Sequence, residues 1–477
     1  MKTVLFGING TWAHSSLSVR CLRTALREAS LPCEVIEGTL QDRTLTLLTR
    51  LYEANADLYA FSCYIWNVEE MLEIAASLHA LRPNTRILLG GPEVSFDSER
   101  FLSLPFVDHV IAGEGEVAIV SLVNALSRGE QPPRFMVGEN DPRFTERGIE
   151  YDKNEPVPAL VYYESTRGCP FSCAFCLSSA THGVRAKTAE HTLADLAAFE
   201  EFEGRFTVKL VDRTFNFDRE RAKAIWRGLL SECYTKCYHF EIAADLLDEE
   251  SYDILSRFPE GKIRLEIGLQ STNPETLAAV SRHAKADAVL AASRRLAQMG
   301  GVHVHLDLIA GLPHEDLASF ARSFDAAHDA CHVLQLGFLK FLHGTKLRAD
   351  AASFGAVFEQ AAPYTVLRTD CLSFEDVVLL HGVSDLMERL RDSGRFSRSL
   401  DFVLSHVASP FAFYLDFSHY LTSQTGKVLQ RISQRDLFTL FATFAKEQIP
   451  EGEHDALSRA MREDFAASEA RKPPRGL

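Results

Sequence analysis

The sequence predicts an α/β protein in three parts: a doubly wound parallel sheet, a second set of six βα units shaped as a partial (β/α)6 barrel, and an all-helical C-terminal region. Three observations predict it. Short apolar runs alternate with amphipathic stretches up to about residue 126, the pattern of a parallel sheet flanked by helices. Six strand-like runs then alternate with helical stretches between residues 159 and 345. From about Arg348 to Lys446 the apolar period becomes helical. A chain of 477 residues, 46% apolar and 24% charged, has the composition of an ordinary globular protein and a length that suits about three domains.

In the first part, residues 1–126, Val4–Ile8 reads as the opening strand. The helix after it has Ser15 or Ser16 as cap and Leu22, Ala25, Leu26 and Ala29 at helical spacing. Leu58–Cys63, Arg86–Gly90 and His109–Ala112 supply further strands. Ligands of open parallel sheets sit at the carboxyl ends of strands. Asn9, Ser62, Gly90-Gly91-Pro92 and Gly113-Glu114-Gly115-Glu116 fall there. Taken in order, these loops resemble the vitamin B12-binding domain that precedes many radical S-adenosylmethionine (SAM) domains. The resemblance implies a cobalamin-binding domain and nominates Asn9, Ser62, Gly90, Gly91 and Glu114 as cofactor contacts. Glycines suit such a site because they let the cofactor approach the backbone closely. The Asp-x-His-x-x-Gly loop that places a histidine under cobalt is absent, and His14 lies in Trp12-Ala-His-Ser-Ser16 without the flanking Asp or Gly. The N-terminal module of methylthiotransferases, with three cysteines for a second cluster, fits poorly: Cys21 falls in the first helix, and Cys33 and Cys63 lie far apart.

Residues 127–158, rich in Pro, Gly, Asn and charge, read as a linker. The barrel strands are read at Leu160–Glu164, Phe206–Val211, Tyr238–Ala243, Ile263–Leu269, Val302–Ile309 and Val333–Leu339. After the first comes Glu164-Ser-Thr-Arg-Gly-Cys-Pro-Phe-Ser-Cys-Ala-Phe-Cys-Leu177. Three thiolates, Cys169, Cys173 and Cys176, can wrap one cubane iron–sulfur cluster and leave its fourth iron open to a small molecule. A zinc site would need a fourth ligand nearby, for which His182 is the candidate. The spacing, with Phe175 before the last cysteine, resembles the signature of radical SAM enzymes.

That resemblance implies a [4Fe-4S] cluster that cleaves SAM to a deoxyadenosyl radical. It also brings strand-end motifs. Asp212, in Val211-Asp-Arg-Thr-Phe-Asn216, stands where the family places groups on the SAM amino group. Glu266-Ile-Gly-Leu-Gln270-Ser271 matches the fourth-strand pattern and nominates Glu266 and Gln270. Asp307-Leu-Ile-Ala-Gly-Leu-Pro-His-Glu315 nominates Ile309, packed on adenine, and Gly311, although Asp307 replaces the motif's first glycine. Leu339-Lys-Phe-Leu-His-Gly-Thr345 resembles the segment closing the sixth strand.

Strand parity adds an observation independent of the motifs. If Ile309 faces the lumen, so do His303, His305 and Asp307, while Val302, Val304, Leu306 and Leu308 face the helices. His239, Glu241 and Asp245 on the third strand, and Arg264, Glu266 and Gln270 on the fourth, share the polar face. Buried parallel strands are ordinarily apolar on both faces. The parity predicts a paired polar network under SAM, with Arg264 and Glu266 as partners of His305 and Asp307.

The helical region, 346–465, opens with an amphipathic run from Phe374 to Leu390 and continues with an aromatic stripe (Phe402, Phe411, Phe413, Tyr414, Phe417, Tyr420) read as core. The tail, 466–477, reads as disordered. A net charge of −15 argues against a broad grip on nucleic acid or anionic membrane. Ten cysteines without a framework or export signal point to the reducing cytoplasm. Cys233 and Cys237 read as core or helix-face thiols. The domain order resembles B12-binding radical SAM proteins whose helical C-terminal domain has no assigned function. It implies a cobalamin-dependent methyltransferase acting on an unactivated carbon of an unknown substrate, fed electrons by a partner such as flavodoxin or ferredoxin. Two readings compete with it: a radical cyclisation, rearrangement or methylthiolation with cobalamin as redox partner, and a corrinoid-binding sensor without turnover.

Overall fold

The computed structural model describes residues 1–180, 183–426 and 429–468; His182 and residues 469–477 of the expected tail lie outside them. Two six-stranded parallel sheets dominate the chain. The first contains β1 (Thr3–Asn9), β2 (Cys33–Thr39), β3 (Leu58–Ser62), β4 (Arg86–Gly90), β5 (His109–Gly113) and β6 (Phe135–Gly138), in the order β2-β1-β3-β4-β5-β6. Its apolar runs bury both faces. Phe6, Tyr59, Phe61 and Leu89 meet Leu47, Leu51, Met71 and Ile74 on one side. Leu5, Ala60, Leu88 and Ile111 meet Val19, Leu26, Ile119 and Leu122 on the other. The sequence reading missed two edge strands. β2 alternates acids with apolar residues, and the four-residue β6 lies in the expected linker, pairing with β5 although little of it is buried.

The second sheet contains β7 (Leu160–Tyr163), β10 (Thr207–Leu210), β11 (Cys237–Ile242), β12 (Ile263–Gln270), β13 (Val302–Ala310) and β14 (Val333–Phe338) in sequence order, all parallel. The end of every strand falls within one residue of its sequence-based bound. A two-residue hairpin, β8 (Thr166–Arg167) with β9 (Arg185–Ala186), frames the cysteine loop. Val208, Phe240, Leu265, Ile267, Val304, Leu306 and Leu308 point outward into one apolar core. Phe411, Phe413, Tyr414, Phe417, Phe438 and Phe441 of the C-terminal helices belong to that same core.

The C-terminal region is not wholly helical. Val357–Phe358 pairs antiparallel with Val366–Arg368. Its main helices are Phe374–Met387, Ser397–Leu404, Pro410–Thr425, Gln434–Glu447 and His454–Ser468. The first starts with a capping box in which Ser373 and Asp376 satisfy each other's backbone N–H groups. Phe402 and Tyr420 of the aromatic stripe are partly buried and the other four are buried. The last helix continues to Ser468, so residues 466–468 are helical where disorder was expected; Phe465, just before them, is anchored against Phe438.

Candidate functional site between the two sheets

Order β2-β1-β3 means that the chain crosses from one side of β1 to the other, which opens a crevice at the carboxyl ends of β1 and β3. Asn9 and Ser62 end those strands. Asn9 Nδ2 donates to Glu37 Oε1 at 3.1 Å, and the Ser62 hydroxyl is 2.7 Å from that of Ser18. Gly90 and Gly91 end β4. Gly91 has φ +107°, and a Cβ there would stand 2.5 Å from the Cys63 carbonyl, so the loop closes only on glycine. Two indoles that sequence reasoning did not single out rim the crevice, Trp12 at 57% exposure and Trp66 at 51%. Trp66 stacks on Tyr64 with ring centroids 4.3 Å apart. Large aromatics left this open beside a switch point suit a flat, partly apolar ligand. The signal was present in the sequence as a tryptophan in each strand-end loop.

The barrel meets this crevice directly. Leu160 N–H donates to the Ala13 carbonyl at 2.9 Å, and His14 Nδ1 lies 2.8 Å from the Tyr162 hydroxyl. His14 is thereby tied to β7. Beyond β7 the chain turns through Gly168, φ +92°, where a side chain would collide with the Gly183 carbonyl. Cys169, Cys173 and Cys176 follow, with Cys173 buried and the other two half-buried. Between them Ala174 is pinned, donating to the Val280 carbonyl at 2.9 Å and accepting from Leu347 N–H at 2.9 Å. Burial pushes the Cys173 thiol up, the Arg282 guanidinium pulls it down, and Cys176 and Cys169 push it up again, so the three thiols share one electrostatic neighbourhood. Arg282 Nη1 sits 3.8 Å from Cys173 Sγ, and Nη2 donates to the Gly268 carbonyl. It is 109 residues from Cys173 in sequence, and no motif marks it. Thr214 Oγ1 is 3.6 Å from Cys169 Sγ. Phe175 and Ile309 pack on one small apolar cluster with Ile65 from the first domain.

Below the loop the lumen is polar, as the parity requires: His303, His305, Asp307 and Ile309 are half-exposed, and Val302, Val304, Leu306 and Leu308 are buried outward. The pairing differs from the expectation. Glu266 accepts from Lys209 Nζ at 2.7 Å, and His239 Nε2 is 3.0 Å from the same carboxylate oxygen. Burial pushes Glu266 up, but His239 and Lys209 outweigh it and hold the carboxyl at about 2. Arg264 and Glu266 were expected to pair with His305 and Asp307; instead Glu266 pairs with Lys209 of the four-residue β10, Arg264 is exposed at the barrel's lower end, and Asp307 Oδ1 and His305 Nε2 have no hydrogen-bond partner among the described residues. The His305 ring lies between those of His239 and His303, tilted to both, with centroids 5.4 and 4.9 Å apart. Burial, then the Glu266 and Glu241 carboxylates, push Asp307 up to about 8.

Two expected cofactor contacts have other partners. Asp212 is fully buried, and its carboxylate accepts from Ser165 N–H at 2.7 Å, Thr166 N–H at 2.8 Å and the Ser165 hydroxyl. It orients the start of the cysteine loop. Glu114 accepts from Arg167 Nη1 at 2.8 Å, from Arg185 and from Asp141 N–H at 2.9 Å, so it joins the domains. Gly311, φ +90°, lets Val366 approach to 2.7 Å of where a Cβ would be, a role in packing the hairpin. Gln270 has a left-handed backbone, φ +72°, and its Oε1 is buried without a hydrogen-bond partner among the described residues, as is Asp307 Oδ1. A buried polar atom left unpaired costs roughly 1–3 kcal/mol, which a bound polar ligand recovers. These atoms, with Arg282, fit SAM; the three thiols fit a cubane cluster; the crevice with its indoles fits a corrin.

Comparison with known proteins agrees with this geometry. Residues 8–123 match the B12 binding domain, 163–327 the radical SAM superfamily, and 352–476 a protein family of unknown function (DUF4080). The chain thus carries a stretch that matches the B12 binding domain, followed by one that matches the radical SAM superfamily and holds the three-cysteine loop. An uncharacterized methyltransferase of Pyrococcus horikoshii is 24% identical over 313 residues, covering 59% of this chain and 66% of its own. The cobalamin-dependent radical SAM methyltransferase TokK of Streptomyces tokunonensis is 26% identical over 330 residues, covering 59% and 47%. The chain therefore spans 66% of the length of the first of these curated relatives and 47% of the second. The fold is that of the cobalamin-dependent SAM radical enzyme OxsB with aqua-cobalamin bound, at TM-score 0.65 and 14% identity over 97% of this chain and 84% of the other. Among the described residues no helix is long and apolar enough to cross a membrane.

Proposed function

We propose that the protein is a cobalamin-dependent radical SAM enzyme, a methyltransferase acting on an unactivated carbon. The observation that carries this reading is the meeting of the cysteine loop and the B12-domain crevice, where Ile65, Phe175 and Ile309 share one apolar cluster. When bound, the cluster on Cys169, Cys173 and Cys176 supplies one-electron cleavage of SAM, and cobalamin supplies a methyl carrier. The chain's own residues do the rest. Ala174 fixes the loop to Val280 and Leu347, so the three thiols keep their spacing. Arg282 places a cation beside Cys173, which favours the added electron and an anionic ligand group. Phe175 and Ile309 keep water from the space between the loop and the lumen. Gln270 Oε1 and Asp307 Oδ1 offer polar contacts lower down. The electron comes from a low-potential donor such as flavodoxin or ferredoxin.

The test is anaerobic reconstitution followed by incubation with SAM labelled at its methyl group, hydroxocobalamin and a chemical reductant. Deoxyadenosine must form, and label must enter a product found by untargeted search in cell extract. Deoxyadenosine without label in any product would leave a radical rearrangement in place of methyl transfer. No deoxyadenosine would overturn the enzyme reading.

A further inference from the structure

Arg167, two residues before Cys169, reaches across the domain boundary. Its Nη1 donates to Glu114 at 2.8 Å, its Nη2 to Glu116 at 2.6 Å, and its Nε to Glu164 at 2.8 Å. The guanidinium lies 4.5 Å over the Phe144 ring, with only 14% of its side chain exposed. Arg167 stands on β8; on its hairpin partner β9, Arg185 holds the same Glu114. Both strands that frame the cysteine loop are therefore gripped by one turn of the first domain, Gly113-Glu114-Gly115-Glu116, at the carboxyl end of β5. Gly138 makes room for that turn, since a side chain there would strike the Glu114 carbonyl. Glu114 is the N-cap and Glu116 lies in the first turn of the helix Gly115–Ser127, where the helix dipole favours carboxylates. This turn reads in sequence as a cofactor-contacting loop, but its two carboxylates are taken by Arg167 and Arg185.

We propose that Arg167, Glu114 and Glu116 form an interdomain clasp that positions the cysteine loop, so that the loop takes its working position for SAM cleavage only when the B12-binding domain holds it. These are positioning residues: they touch neither SAM nor cobalt and act through the hairpin that carries Cys169. The inference rests on the cluster reading of Cys169, Cys173 and Cys176. Neutralising Glu114 and Glu116 leaves Arg167 with Glu164 alone, on its own side of the boundary, so the charged grip across the domains is lost.

The experiment compares the full chain with its Glu114→Gln/Glu116→Gln and Arg167→Lys variants, each reconstituted with iron and sulfide. Four readouts are taken: iron content, hydroxocobalamin affinity by visible absorbance, the electron paramagnetic resonance spectrum of the reduced cluster, and SAM cleavage to deoxyadenosine. The double variant should keep its iron and bind hydroxocobalamin as the parent does. Its cluster spectrum should shift and its SAM cleavage should fall about tenfold or more, the scale of a loop misplaced by an ångström or less. Arg167→Lys, which keeps the charge but not the fork, should fall between. An unshifted spectrum with parental SAM cleavage in the double variant would overturn the clasp. Iron loss matching that of Cys173→Ala in the double variant would also overturn it, because the acids would then be needed for assembly and not for position. If the parent itself assembles no four-iron cluster, the enzyme reading fails first, and the two failures are distinguishable.

Discussion

The two parallel sheets have six strands each but opposite chemistry on their inner surfaces. The N-terminal sheet is covered on both faces, so Phe61 and Leu88 are equally buried although they point opposite ways. The barrel sheet buries only its outer face, and its concave side carries Lys209, His239, Glu266, His303, His305 and Asp307. An open doubly wound sheet can therefore offer a ligand only its strand ends. A curved one offers the whole length of a strand. In this chain the first sheet works through Asn9, Ser62, Gly91 and the loops bearing Trp12 and Trp66, and the second through a column of residues below the cysteine loop.

That contrast can be broken most severely at the cysteines. Cys173→Ala should abolish four-iron cluster assembly and deoxyadenosine formation, read by iron analysis and chromatography. Cys233→Ala, at an exposed thiol near Ser231, should change neither. Next in size are the sheet faces. Val304→Asp, Phe61→Asp and Leu88→Asp should each destabilise by more than about 3 kcal/mol in thermal melts, because each buries an unpaired charge. His305→Leu, on the lumen face, should cost less than about 1 kcal/mol. Equal damage from Val304→Asp and His305→Leu would erase the difference between the faces.

A pH series sharpens the same contrast. Asp307 in the folded chain titrates at about 8 against an ordinary 3.8, so the folded state keeps a proton that the unfolded state has released. Stability should then fall as pH rises between those two values and level off above them. Asp307→Asn should remove that slope and be the more stable protein at pH 7, with the two converging in acid. Glu266 works the other way. Its carboxyl is held at about 2, so its contribution is present above the ordinary 4.5 and is lost only as pH falls toward 2. The smallest effects belong to the crevice. Trp66→Ala should weaken hydroxocobalamin binding about tenfold by absorbance titration. His14→Ala should leave the Co(II) resonance spectrum unchanged, because the Asp-x-His-x-x-Gly loop that places a histidine under cobalt is absent.

Much of this arrangement was legible in the chain. Val302-His-Val-His-Leu-Asp-Leu-Ile309 alternates so strictly that its two faces follow from the pleat alone, and the structure keeps them. The six barrel strands were readable because each is an apolar run between helical stretches. What was misread shares one cause: a motif gives a position along the chain and does not say which atoms its side chain will meet. Asp212 occupies its strand end but turns inward to Ser165 and Thr166, and Glu114 turns to arginines that lie 53 and 71 residues away. Lys209 was missed because a four-residue strand offers too few alternations to separate its faces. β6 was missed because its apolar run, Phe135-Met-Val137, is only three residues long and sits in a stretch rich in Pro, Gly and charge.

The outer surface of the barrel and the aromatic helices of the C-terminal region share one continuous core, and Arg391 clamps them by donating to the carbonyls of His328 at 2.9 Å and Cys331 at 2.8 Å. The two regions therefore form a single cooperative unit, although separate family matches divide them. Calorimetry of the whole chain should show their melting as one heat-absorption peak. Truncation after residue 345 should yield an aggregating fragment, because it bares the hydrophobic flank on which Phe411 and Tyr414 rest. The segment of unknown function has at least one task that needs no chemistry: it is the missing wall of the barrel.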